Sequence, residues 1–248
     1  MTLGRGARLV LYGVALTGPP SLYVGAYIRR LEKEYPPLPP DLTSTPALRT
    51  PDKQGRHTAY VDIYVARIPR AALLASARDV KQSAPPVDAS QEPCLEELWA
   101  RLFFNTKAIR WEGMAVKGGS LDPDDVGEHG FKRGQSLLGG AMRVVRAPEP
   151  GSPLMADWQM PSHIVGFFER IAAWGYPWRM MDGGRHEWCV KGMGETVEVR
   201  FAAAHDYKVV AEEGPEGKII PRWVQRLHRA YARFLLDQAV KSIQAQAI

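Results

Sequence analysis

The chain has 248 residues, of which 45% are apolar and 24% charged, and carries a formal net charge of +5. A chain of that length and composition can bury a substantial core, which excludes wholesale disorder. The basic excess sits in no recognisable nucleic-acid-binding module, so no nucleic-acid partner is expected. The two cysteines, Cys94 and Cys189, form no CxxC pair, which favours a reducing, intracellular compartment over a disulfide framework or a zinc site.

Residues 9–28, LVLYGVALTGPPSLYVGAYI, carry no charge. As a helix they would span about 30 Å, the thickness of a bilayer core. The central Pro19-Pro20 pair and three glycines argue for a broken or kinked segment instead. Basic residues flank both ends, so charge assigns no orientation. Two readings stand: membrane association through residues 9–28, or an apolar arm packed on the rest of the chain. From Pro36 to Pro51 there are six prolines, which predicts an extended linker. The expected organisation is an apolar N-terminal arm or membrane anchor over residues 1–34, a Pro-rich linker over 35–56 and an α+β ligand-pocket domain over 57–248.

HTAYVDIYVARI is dense in β-branched and aromatic residues and reads as a strand closed by Pro69. PRAALLASARD and CLEELWARLFF read as helices, the second with Leu95, Leu98, Leu102 and Phe103 on one stripe. KAIRWEGMAVK is expected as a strand, followed by a 17-residue loop, GGSLDPDDVGEHGFKRG, of the length that is usually functional or mobile. SLLGGAMRVVRA and SPLMADWQM read as paired strands, and HIVGFFERIAAWG as a helical insertion. After ETVEVRFAAAH come a short strand, YKVVAEE, and a long helix from about Pro221. On that helix Trp223, Val224, Leu227, Ala230, Tyr231, Phe234 and Leu235 recur at helical spacing as an apolar face. Beside them Arg222, Arg226, Arg229 and Arg233 form a basic stripe, either a solvated face or a contact for an anionic membrane surface.

The stretch WGYPWRMMDGGRHEW, Trp174 to Trp188, predicts a hairpin with Asp182-Gly183-Gly184 as its loop. That register sets Trp178 opposite Trp188, Met180 opposite His186, and Arg179 opposite Glu187 as an ion pair. In the next strand Val197, Val199, Phe201, Ala203 and His205 alternate onto one face. In the first, Asp62 shares a face with Tyr60 and Tyr64, and His57 the other with Val61 and Ile63. Each polar residue among these has a structural reading as a satisfied core group. A sheet lined by aromatic, Met and Ala side chains with a few isolated polar groups also describes a small-molecule pocket.

No nucleophile elbow, zinc-protease motif, dinucleotide fingerprint or P-loop occurs in its required context, so no cofactor and no metal are expected. The order strand, two helices, antiparallel strands and a long C-terminal helix resembles the helix-grip architecture of START and Bet v 1-like proteins over about residues 57–245. The resemblance implies a curved antiparallel sheet wrapped around the last helix and an apolar cavity between them. HTAYVDIYVARIP and WGYPWRMMDGG, with the N-terminal apolar segment and Pro-rich linker, are similar to fungal proteins encoded beside natural-product genes. That group includes the norbornene-forming Diels–Alderase of sordarin biosynthesis, and the likeness carries no catalytic residue over by position.

Together these readings predict a cofactor-independent cyclase or pericyclase acting on a hydrophobic polyene or terpenoid intermediate. His186, His205, Tyr60, Tyr64 and Asp62 are the candidate catalytic residues. Trp158, Trp178, Met180, Trp188 and Phe201 are the candidate substrate-binding residues. The alternatives are a lipid or terpenoid carrier that binds without turnover, and a membrane-anchored interaction protein whose aromatic stretch is plain core.

Overall fold

Alternating apolar and polar side chains build a six-stranded antiparallel sheet in the order β1-β6-β5-β4-β3-β2. The computed structural model describes residues 22–51, 56–80, 93–192, 194–214 and 217–246. The strands are β1 (His57–Pro69), β2 (Ser136–Leu137), β3 (Met142–Arg146), β4 (Leu154–Gln159), β5 (Gly183–Lys191) and β6 (Thr196–Lys208). The sheet is open: β1 and β2 are its two edges. The helices are α1 (residues 22–34), α2 (Pro40–Thr43), α3 (Pro46–Arg49), α4 (Arg70–Val80), α5 (Leu95–Phe104), α6 (Lys107–Lys117), α7 (Ser162–Ala173) and α8 (Arg222–Gln246). The chain is thus α+β, with a long C-terminal helix packed on β1 and β6 and α5 packed on β5.

The two faces of the sheet differ in chemistry. On the inner face His186, Trp188 and Val190 of β5 lie beside Val199, Phe201 and Ala203 of β6, as the alternation predicts. Trp188, Phe201, Phe103 and Phe104 join the main core there. On the outer face Ile63, Ala202 and Ala204 pack with Leu48, which is fully buried. Burying that leucine is worth roughly 1.5–3 kcal/mol.

Several expectations are overturned. The Pro-rich segment is not an extended linker: it carries α2 and α3 and lies on the outer face of the sheet. Leu38 N–H donates to the Ile63 carbonyl, Arg185 Nε to the Leu48 carbonyl, and Thr45 Oγ1 to the Glu187 carboxylate. Lys107–Lys117 is a helix, not a strand. Its β-prone Ile109, Trp111 and Val116 are outvoted by a helical packing face, where Gly113 sits against Leu121 and Leu138, and by a stop at Gly118. Gly118 is left-handed (φ 71°), and its amide bonds the Met114 carbonyl. YKVVAEE forms no further strand: Tyr207 and Lys208 finish β6, and Ala211–Glu213 is a 3-10 turn. The long loop after α6 is pinned rather than bare, because Lys117 holds Asp122 and Asp125 at 2.6 and 2.7 Å while Val126 and Phe131 are buried.

The hairpin is also absent. Asp182 already belongs to the ladder, with its amide on the Asp206 carbonyl and its carbonyl on the Met160 amide. Gly183 and Gly184 are extended residues of β5. A Cβ on Gly184 would lie 1.9 Å from the Ala204 carbonyl oxygen, and one on Gly183 2.5 Å from that of Trp158. The glycines therefore serve close strand approach, not a turn. Trp188 pairs with Leu154 and Phe201. Trp178 instead packs against Tyr176, with ring centroids 5.0 Å apart. Arg179 pairs with Glu169 and Glu213, and Glu187 with Arg146.

On α8 the expected apolar face holds at Ala230, Phe234 and Leu235, which are buried or packed on the core, but Trp223 and Leu227 are exposed, and the buried stripe runs on through Ala232, Leu236, Ala239, Val240 and Ile243. The basic stripe is largely spoken for: Arg226 pairs with Glu32, Arg229 with Asp62, and buried Arg233 donates to the Tyr35 carbonyl. α1 docks on α8 through Asp237, a fully buried carboxylate. It receives hydrogen bonds from Tyr27, Arg30, Tyr35 and Lys241. Among the described residues no helix is long and apolar enough to cross a membrane, and residues 9–21 of the uncharged run lie outside them.

Candidate functional site

Between the inner face of β4–β6 and helices α5, α6 and α8 lies a cavity of about 420 Å³. Its aromatic end comes from two periodicities meeting. Phe103 and Phe104 on α5 are brought to Trp188 and Phe201 on the sheet, with Phe103–Phe201 and Phe104–Trp188 centroids both 4.8 Å apart. Met142, Met160, Met180 and Met181 supply adaptable apolar wall.

Three histidines, His186, His205 and His228, line the same cavity with the Trp158 indole beside them, and the His186 ring lies 5.3 Å from Phe201 and 5.9 Å from Trp188. His205 Nε2 lies 2.7 Å from His228 Nε2. The His186 ring is 6.4 Å from that of His205, and Trp158 is 6.3 and 6.0 Å from His186 and His205. Burial holds all three imidazoles neutral. It pulls His186 down to about 3, with the His228 ring adding to the effect. His205 is held well below its ordinary value by burial and then by its histidine neighbours. His228 is lowered by burial against the opposing pull of the Asp62 carboxylate. His186 Nε2, Trp158 Nε1 and Trp188 Nε1 are buried without a hydrogen-bond partner among the described residues. Each such group carries a desolvation cost of about 1–3 kcal/mol that a partner would relieve.

At the rim Tyr231 Oη donates to Glu112 Oε2 at 2.6 Å. Burial, reinforced by that carboxylate, raises the Tyr231 pKa and keeps the phenol protonated. Among the described residues no group of three or more His, Cys, Asp or Glu side chains is placed to hold a metal ion.

Of the residues singled out in the sequence, His186, His205, Trp158, Met180, Trp188 and Phe201 line this one cavity. Tyr60 and Asp62 do not; they line a small crevice of about 20 Å³ that shares His205 and His228 with it. Tyr64 is buried beneath the Arg233 guanidinium, 4.4 Å over its ring, away from the cavity. Trp178 lies outside it. Sequence reasoning passed over His228 and the Glu112–Tyr231 pair. The signal for His228 was present: it falls four residues after Val224, three before Tyr231 and seven before Leu235, all of which line the cavity.

No family model, curated protein or solved structure matches the chain. The site is therefore read from its own chemistry.

Proposed function

We propose that the chain is a cofactor-independent cyclase or pericyclase that folds a neutral, hydrophobic polyene or terpenoid intermediate inside the cavity. The observation that carries this reading is the combination of an apolar chamber of about 420 Å³ with three buried, neutral imidazoles in its wall. That volume suits a small hydrophobic molecule, and such pockets commonly pair apolar walls with a few polar anchors. A flexible chain pressed against Phe103, Phe104, Trp188 and Phe201 loses conformational freedom before it reacts, which lowers the entropic part of the barrier. The unpartnered indole and imidazole groups offer hydrogen bonds to an oxygen at one end of the substrate, where charge develops. The pairing of β1 with β6, and of both with α8, supports the likeness to helix-grip proteins.

All-trans-retinol is a suitable probe, since energy transfer from Trp158 and Trp188 reports its entry into the cavity. Saturable transfer is expected with the full chain, and it is expected to vanish in Ala203→Phe, which fills the chamber from β6, while the far-ultraviolet circular dichroism is unchanged. Equal binding by the folded Ala203→Phe protein would defeat the reading. A carrier with the same cavity would bind retinol and release a bound polyene unaltered.

A further inference from the structure

The His205–His228 pair stands in the wall between two spaces: the apolar cavity on one side and the small polar crevice on the other. We infer that His228 is the acid–base residue of the cavity and that His205 is the positioning residue that fixes its tautomer. The inference rests on the reading that the cavity holds a small molecule, and it adds the class of chemistry: proton transfer at a carbon made acidic by a neighbouring carbonyl.

The assignment follows from hydrogen-bond bookkeeping. The backbone carbonyl of Tyr60, the cross-strand neighbour of His205, favours a proton on the His205 ring. Nε2 of His205 is engaged with His228, so we place the His205 proton on Nδ1. A neutral His205 then presents a lone pair at Nε2. The 2.7 Å contact therefore has His228 Nε2–H as donor, which leaves Nδ1 of His228 as the basic atom. The order is the one a general base needs: one nitrogen oriented by a neighbour, the other with a lone pair.

The crevice sets the polar surroundings of the pair on the side away from the cavity. Its volume of about 20 Å³ matches roughly one water. The groups facing the pair are Tyr60 and Asp62 from β1, Tyr207 from β6, and Gln225 and Arg229 from α8. From β5, His186 lies beside His205 on the same face of the sheet, with ring centroids 6.4 Å apart. Asp62 favours the His228 imidazolium and Arg229 opposes it. These two are themselves joined at 3.0 Å, so the carboxylate's pull is moderated rather than removed.

The step balances without any co-reactant. The substrate C–H bond breaks, its proton forms the Nδ1–H bond of His228, and the electron pair passes to the carbonyl oxygen as an enolate. Trp158 Nε1–H, which has no partner among the described residues, is the donor beside the histidine pair for the oxygen. The proton then returns from Nδ1 to another carbon, giving an isomer or closing a ring with no change in oxidation state.

Two measurements on the full chain test this. Nitrogen-15 spectra of histidine-labelled protein should show His205 protonated on Nδ1 and His228 on Nε2; the reverse order would overturn the assignment. The neutral probe 5-nitrobenzisoxazole reports a base directly: loss of its C–H proton breaks the N–O bond and releases a coloured cyanophenolate. Saturable release is expected, falling about a hundredfold in His228→Gln, the lower end of what a positioned base contributes. His205→Gln, which keeps an acceptor for His228, should retain more of the rate than His205→Leu. His205→Leu should also move the pH profile, which a merely structural role would not do. Equal rates in the wild type and His228→Gln, with retinol still bound by both, sink this inference alone. Loss of retinol binding by the wild type sinks the reading beneath it.

Discussion

Arg185 and Asp206 meet in a two-pronged ion pair, Nη1–Oδ2 and Nη2–Oδ1 both at 2.7 Å, on the face of the sheet turned away from the cavity. Both residues are buried, and Arg185 Nε also donates to the Leu48 carbonyl of α3. One guanidinium thus ties β5, β6 and the Pro-rich segment together. Asp206→Ala leaves that cation buried with its main counter-charge gone. It is expected to cost about 3–5 kcal/mol, as removing one partner of a buried pair does. Urea unfolding at neutral pH checks the value. A change within a few tenths of a kcal/mol would mean that water reaches Arg185.

Acid should destabilise the fold before its carboxylates titrate. The unfolded chain protonates histidine near the ordinary value of 6.5, whereas burial holds His186 at about 3 in the native state. Between those values the unfolded state binds the extra proton, so stability falls as pH falls, at about 1.4 kcal/mol per pH unit for this residue. Above pH 6.5 the residue contributes no slope. His205 and His228, also depressed, add in the same direction. His186→Phe should therefore gain about 2 kcal/mol relative to the wild type on going from pH 7.5 to pH 5, whatever its offset at pH 7.5. Urea midpoints at the two pH values measure the difference; parallel shifts at both would remove the linkage.

Gly184→Ala is expected to be far more damaging than a strand-interior alanine ordinarily is. Its Cβ would sit 1.9 Å from the Ala204 carbonyl oxygen, so backbone rather than a flexible side chain must yield. A cost of about 2 kcal/mol or more is expected from such overpacking. Because Trp158 Nε1 would lie 3.1 Å from the same Cβ, retinol binding should weaken along with stability. A neutral or stabilising Gly184→Ala would contradict the strand spacing described for β5 and β6.

Asp237 holds α1 to α8, accepting from both Tyr27 and Tyr35 as well as from two cations. Burial, followed by the Asp237 charge, raises the pKa of Tyr35 and keeps that phenol a donor. Asp237→Leu should loosen α1 without opening the cavity. The expected sign is faster trypsin cleavage at Arg29, Arg30 and Lys33, with retinol binding retained. Unchanged cleavage would show that Leu31, buried in the main core, suffices to hold the helix.

What could be read from the sequence was what periodicity alone decides. The alternation in β1 and β6 placed His205 beside Phe201 and Ala203 because a strand has a period of two wherever it goes. Glycine has no such signature. Gly183-Gly184 suits a turn and a close strand approach equally well, and only the proximity of Ala204 and Trp158 decides between them. The Lys107–Lys117 segment misled because Ile, Trp and Val favour strands locally, while its actual face is chosen by Leu121 and Leu138. Trp178 was coupled to Trp188 by that mistaken turn, whereas Trp188 itself was placed by alternation with His186. Asp62 and Tyr60 were read on the right face of β1, yet α8 covers them, and the helix that covers them brings its own histidine, His228. A single strand's pattern holds no information about that partner.

The hydrogen bond from Leu38 to Ile63 has a consequence for how copies of this chain meet one another. β1 is a thirteen-residue edge strand, a ready template for another chain's backbone. The segment laid along it places Pro36, Pro37, Pro39 and Pro40 around that one donor, and proline has no amide hydrogen to offer. The ladder therefore stops where the prolines begin. Removing the segment would free the Ile63 carbonyl on the longest edge of the sheet, so the residues that finish the fold also occupy a point at which a neighbouring backbone could pair.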